Sequence, residues 1–153
     1  RMLLAAVKQR EVDERIVLAD LPGYGFARVP LDVRAQWKDL VEAYLSGSGD
    51  LRLVVGSPGG SRIIGYVAKT LIAHIDWGMD IQSAVGLPHL VNRFGTYDIE
   101  EGTSAENLAD PLTALGYKVR IRSLNSGLHG IVIADDALTG GADPRREGMV
   151  LGQ

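Results

Sequence analysis

The chain has 153 residues, a formal net charge of −3 and 46% apolar residues, enough for one ordinary globular domain with a buried core. Charges of both signs are interspersed, so bulk electrostatics give no reason to expect nucleic acid or an anionic membrane as a partner. The lack of cysteine excludes disulfides, thiolate metal sites and cysteine nucleophiles, while leaving the compartment open.

No run approaches the ~18 apolar residues of a membrane span, and no secretory leader is visible. Arg1 at the start suggests that a natural N-terminus lies upstream. Residues 15–19, Arg-Ile-Val-Leu-Ala, are bounded by charge before and by Asp-Leu-Pro-Gly after, the pattern of a buried strand. Pro30 and Asp32 then open a helix whose Val33, Trp37, Leu40, Val41, Tyr44 and Leu45 share one face, and Gly47 and Gly49 end it. A strand over residues 51–55 completes a β-α-β unit, expected to be parallel and right-handed.

From Ser61 a second helix is expected, with Ile63, Ile64, Val67, Leu71, Ile72 and Ile75 as a wide apolar stripe ending near Gly78. Asp80 caps a short helix, Tyr97 to Glu101 reads as an exposed strand, and Ser104 to Leu115 reads as a helix bent by Pro111 and closed by Gly116. Residues 118–123 alternate in the pattern of a strand. Residues 130–135 read as a buried one, and a Gly-rich loop follows from Leu138. Regular strands and helices in this mixture indicate an α/β or α+β fold with helices packed on a mixed sheet.

Two turns carry the chemistry. In the first, Asp20-Leu21-Pro22-Gly23 leaves a strand at the end where open α/β sheets bind ligands. There Asp20 could hold Mg²⁺ through water and the Gly23 amide could meet a γ-phosphate, although the tetrapeptide alone reads first as an ordinary turn. In the second, Gly56-Ser57-Pro58-Gly59-Gly60-Ser61 joins a strand to a helix. It has neither the Lys nor the spacing of a phosphate-binding P-loop, and it is not a G-x-G-x-x-G dinucleotide turn. Two successive glycine amides at a helix start suit a developing oxyanion, while Gly-Gly alone also permits a plain tight turn.

Other residues offer less. His74, His89 and His129 fit no usual zinc spacing and read as structural or surface residues. Trp37 and Trp77 read as packing anchors. Asp135, Asp136 and Asp143 read as turn residues rather than a carboxylate dyad, and Arg145-Arg146 as a solvated basic spot.

The stretch from Asp20 to Val29, followed by Arg34-Ala-Gln-Trp-Lys-Asp-Leu-Val-Glu-Ala-Tyr-Leu45, resembles the EngB-type GTPases of bacterial ribosome assembly over about residues 15–55. That resemblance implies Asp20 as the magnesium-linked aspartate of switch II and Gly23 as the γ-phosphate contact, with GTP and Mg²⁺ as cofactors. Neither a G-x-x-x-x-G-K-[ST] cradle nor an Asn-Lys-x-Asp guanine-reading motif occurs in the 153 residues.

Residues 54–64, Val-Val-Gly-Ser-Pro-Gly-Gly-Ser-Arg-Ile-Ile, are followed in order by Asp76-Trp-Gly-Met-Asp-Ile-Gln-Ser-Ala-Val-Gly-Leu-Pro88 and by Gly140-Gly-Ala-Asp-Pro-Arg145. Over about residues 50–153 this succession resembles the C-terminal part of bacterial gamma-glutamyltranspeptidases. The resemblance implies an Ntn-hydrolase-like α/β segment with Gly59 and Gly60 as oxyanion-hole amides. It also implies a gamma-glutamyl substrate such as glutathione, cleaved without a cofactor once a missing subunit completes the site.

The family's N-terminal nucleophilic Thr has no counterpart, because Thr70, Thr96, Thr103, Thr113 and Thr139 are all internal and an Ntn nucleophile uses its own free amine as base. The expectation is a chimera-like chain, with residues 1–50 a GTPase-like segment and 51–153 a transferase-like segment, either separate or merged into one domain. Its seam falls near Ser46 to Val55. It is inactive alone, and bare sheet edges could allow self-association. A GTP-binding fragment and an inactive chimeric scaffold are the alternatives.

Overall fold

A computed structural model describes residues 3–9, 16–22, 39–44, 46–47, 51–134 and 136–151. Its larger sheet has the strand order β2-β1-β3-β7-β8, with β1 at Leu3–Gln9, β2 at Ile16–Pro22, β3 at Leu51–Ser57, β7 at His129–Ile133 and β8 at Leu138–Ala142. Every neighbouring pair in it is antiparallel. A smaller sheet joins β4 (Leu90–Arg93), β5 (Thr96–Glu100) and β6 (Lys118–Arg122). Within it β5 pairs antiparallel with β4 and parallel with β6. The helices are α1, described over residues 39–44, then α2 (Ile63–Ile75), α3 (Ile81–Gly86) and α4 (Ala109–Ala114). The mixed α/β arrangement expected from the sequence is the one observed.

The core forms on both faces of the large sheet. Leu53 and Val55 on one face of β3 pack with Ile63, Tyr66, Val67 and Leu71 of α2 and with Ile81 and Val85 of α3. Val54 and Ile133 point to the other face, because side chains alternate along a strand. There, with Tyr44 and with Leu51, which lies beyond the register shift between β1 and β3, they surround the buried Val41 of α1. Thus α1 covers the face of the sheet opposite α2 and α3.

Several elements differ from expectation. Strand β1 carries little β-branched character and was not anticipated. It inserts between β2 and β3, which run in the same direction without touching. In α2, Ile64 and Ile72 are exposed, and the buried face is Ile63, Tyr66, Val67, Thr70 and Leu71. The β5 strand is not exposed: Asp98, Ile99 and Glu100 are all buried. Strand β7 is buried on one face only, since Ile131 is exposed while Gly130 is buried.

The Gly-rich loop contains a strand, β8. Its glycines serve close approach: a Cβ on Gly141 would lie 2.9 Å from the Ile81 carbonyl, and one on Gly140 would lie 2.5 Å from Val150 Cγ1. The helix expected over 104–115 is a 3-10 turn (Ser104–Leu108) running into α4, with Thr103 rather than Ser104 at its cap. Asp80 does cap α3, accepting from the Ser83 amide at 2.9 Å.

Candidate functional site around the Pro-Gly-Gly turn

Strand β3 delivers the buried Ser57 to the turn, where its hydroxyl donates to the Pro58 carbonyl at 2.7 Å. Gly59 (φ +140°) and Gly60 (φ +63°) both occupy backbone regions that side chains disfavour. A Cβ on Gly59 would also lie 2.8 Å from Cε2 of Tyr66, so its Cα sits against that ring. A 3-10 turn, Gly60–Arg62, leads directly into α2. The two glycine amides therefore lie at a helix start, where partial positive charge accumulates. Among the described residues no loop or capping carbonyl accepts from either amide.

Arg62, at the end of this turn, reaches the fully buried Asp98 of β5 through Nε (3.0 Å) and Nη2 (2.7 Å). Arg120 of β6 holds the other carboxylate oxygen through Nε at 2.8 Å and Nη2 at 2.6 Å. Burial pushes the Asp98 carboxyl up, but the two guanidinium forks outweigh it and the net shift is downward. This pair of forks ties the start of α2 to the small sheet.

Behind the turn lies a longer buried network. His89 stacks on Tyr66 with ring centroids 4.0 Å apart, and its Nε2 lies 2.6 Å from the Ser126 hydroxyl. Ser126 in turn donates to Asp143 Oδ2, which leaves His89 Nε2–H as the donor to Ser126. His89 Nδ1 then accepts from Lys69 Nζ at 3.1 Å. Asp143 also accepts from the amides of Leu128 and Arg145 and from the Arg145 guanidinium, each at 3.0 Å. Arg145 forks onto Glu100.

The electrostatics follow from burial and partners. Burial, then the nearby Lys69 and Arg145 cations, lower His89 to about 3 and keep it neutral. Burial, then Arg145, lowers Lys69 to about 8. Burial pushes Asp143 up, but the hydrogen bonds from Ser126, the backbone and Arg145 outweigh it and hold it below the usual range.

Of the residues singled out from the sequence, Gly59 and Gly60 sit together at the head of α2. Asp20 does not end its strand. It lies within β2 opposite Ala5 of β1, and pairing continues to Pro22, which an edge strand tolerates. Gly23, Trp37 and Asp135 fall outside the described residues. Asp143 is no simple turn residue and Arg145 is not solvated: both are anchored in the network. Trp77 is exposed rather than a packing anchor. His74 donates from Nδ1 to the Met79 carbonyl at 2.7 Å, closing the end of α2.

Sequence reasoning missed Tyr66, Lys69, Asp98, Glu100 and Ser126. The one local signal was polar residues at apolar-phase positions of helix and strand. A cleft of about 290 Å³ is lined by Glu100, Glu101, Ser123, Leu124, Asn125 and Arg145, with no residue of the turn. Among the described residues no group of three or more His, Cys, Asp or Glu is placed to hold a metal ion.

Comparison with known proteins separates the chain into two likenesses. A GTP-binding protein described as probable EngB, from Trichlorobacter lovleyi, is 63% identical over 38 residues, 25% of this chain and 19% of the relative. The glutathione hydrolase proenzyme of Bacillus subtilis is 35% identical over 104 residues, 65% of this chain and 18% of the relative. The chain thus spans under a fifth of either relative's length. Among solved structures, Pseudomonas nitroreducens gamma-glutamyltranspeptidase complexed with L-DON superposes with a TM-score of 0.62 at 27% identity, over 69% of this chain and 57% of that one. The family model for gamma-glutamyltranspeptidase matches residues 40–153. The match takes in the Pro-Gly-Gly turn, the Asp98 forks and the buried network, and by it the chain belongs to the gamma-glutamyltranspeptidase family.

Proposed function

We propose that this chain supplies the oxyanion-stabilising half of a gamma-glutamyl transfer or glutathione hydrolysis site, and that its 153 residues do not turn over substrate by themselves. The observation that carries the reading is the Gly59–Gly60 pair, whose amides have no loop or capping partner at the start of α2, inside the family match. In the reaction an N-terminal Thr, supplied from outside these residues, attacks the gamma-carbonyl carbon. The carbonyl oxygen then takes up negative charge between the two amides. The Thr hydroxyl proton passes to its own amine and then to the leaving amine as collapse breaks the C–N bond. Water or an acceptor amine next adds to the ester carbonyl, the Thr O–C bond breaks, and the Thr hydroxyl is restored as the glutamyl group leaves.

The test is a graft. Residues 51–153 replace the aligned segment of the Bacillus subtilis relative, and release of p-nitroaniline from the gamma-glutamyl anilide is followed. Turnover is expected, falling about 10²–10³-fold when Gly60→Ala strains the donor pair. A graft unaffected by Gly60→Ala and by Gly59→Ala refutes the reading.

A second reading rests on the EngB likeness, which reaches 63% identity over its short span. In it Asp20 and Gly23 meet Mg²⁺ and the γ-phosphate of GTP. No P-loop string accompanies them in the sequence, so the chain is expected not to be stabilised by GTP–Mg²⁺. A chain that also ignores glutamate and glutathione would favour an inactive scaffold, associating through the edges at β2 or β8.

A further inference from the structure

The turn is gripped from two sides, and the two grips are joined behind it. On one side the Cα of Gly59 rests on the ring of Tyr66, where a Cβ would come within 2.8 Å. On the other, Gly127 meets Pro58: a Cβ there would lie 2.9 Å from Pro58 Cγ and 3.1 Å from Cδ. Tyr66 is stacked on His89 at 4.0 Å, and Gly127 follows Ser126 in the chain. The bond of 2.6 Å between His89 Nε2 and the Ser126 hydroxyl closes the circuit Pro58–Gly59–Tyr66–His89–Ser126–Gly127. His89 and Ser126 are both fully buried, so no water replaces that bond from the surface.

We propose that the His89–Ser126 hydrogen bond is a clasp that holds the Pro58–Gly59–Gly60 turn in shape, making His89, Ser126 and Tyr66 positioning residues for its two amide donors. The clasp is itself held at both ends. Lys69 meets the far side of the imidazole at 3.1 Å, and Asp143 accepts the Ser126 proton while anchored by Leu128 and Arg145. Every bond in this chain runs donor to acceptor from Lys69 toward Asp143, so the orientation of the ring is determined. A turn with left-handed glycines and no hydrogen bond of its own at the amides needs such external walls to present both donors in one direction.

The relevance to catalysis rests on the oxyanion reading, but the clasp does not, so its test uses the full chain without substrate. Backbone ¹⁵N relaxation is measured for Gly59 and Gly60, with Leu53 and Val55 of β3 as internal references. In the wild type all four are expected near the rigid order parameter of about 0.85. Ser126→Ala removes only the hydroxyl and should drop both glycines below about 0.6 while the β3 residues stay rigid. Ser126→Thr keeps the hydroxyl and should leave the glycines rigid.

Unchanged glycine order parameters in a folded Ser126→Ala overturn the proposal. If Ser126→Ala fails to fold, the wild type still decides. On warming, the His89 Nε2–H and the Gly59 and Gly60 amide signals must broaden together, before those of Leu53 and Val132 in the β3–β7 ladder. Loss of the imidazole proton with sharp glycine signals overturns it. Mobilised glycines alongside a graft insensitive to Gly59 and Gly60 would leave the clasp standing and the oxyanion reading refuted.

Discussion

The two segments that share the large sheet are held by different physics. The first contributes β1, β2 and the α1 helix, attached through strand pairing and through Val41 and Tyr44 against Leu51, Val54 and Ile133. The second, from β3 onward, has an apolar core of its own together with two buried ionic centres, at Asp98 and at Asp143. The family match covers the whole of the second and reaches back over residues 40–44 of α1. Joined to that core is a set of buried side chains bound to one another and to nearby backbone groups. Such a set specifies one arrangement, because each member left alone is costly.

The comparison is broken most severely by Asp143→Ala. It removes the acceptor of Ser126 and of the Leu128 amide, and one of the two carboxylates that Arg145 meets, in a fully buried place. A loss of about 3–5 kcal/mol is expected in urea unfolding. Val41→Ala probes the first segment: about 1–3 kcal/mol is expected, from the cavity left between α1 and the sheet. A single cooperative transition shifted by that amount means that the segments unfold together. An unshifted main transition would mean that α1 is only laid on the surface.

Acid should act on the second segment. His89 falls from its ordinary 6.5 to about 3 in the folded chain, so the unfolded chain takes up its proton first as pH drops. The stability His89 contributes is complete above pH 6.5 and is lost on the way to pH 3, with a slope approaching about 1.4 kcal/mol per pH unit. Asp98 and Asp143, held below their ordinary 3.8, add losses of the same sign at lower pH. Unfolding free energies of the wild type and His89→Gln across pH 7 to 4 check this. The variant should be the less stable at pH 7 and should show the shallower slope. The smallest effect concerns the first segment: GTP with Mg²⁺ should leave the thermal midpoint unmoved, and a rise of several degrees would restore the nucleotide reading.

Much of the frame was legible in the sequence, and the network behind the turn was not. Strand β3, the helix starting beside Gly60, the Asp80 cap and the alternating β6 all follow from local periodicity and capping. The clasp does not, because its bonds join residues 20, 37 and 17 positions apart at Lys69–His89, His89–Ser126 and Ser126–Asp143. No window of sequence contains both partners. Strand β8 was hidden for another reason: Gly140 and Gly141 look like loop residues, yet they are small because Val150 and Ile81 approach them closely. Asp20 shows the converse, since a motif that is explicit in sequence lies in the middle of an edge-strand ladder.

The central claim is that the Gly59–Gly60 turn is an oxyanion element whose nucleophile lies outside these 153 residues. It is tested most directly by incubating the full chain with gamma-glutamyl-p-nitroanilide and following p-nitroaniline. The account predicts release no faster than in buffer, with or without an acceptor amine. Release above buffer that is abolished by Gly59→Ala or Gly60→Ala would contradict it, because a nucleophile would then have to lie within the chain itself.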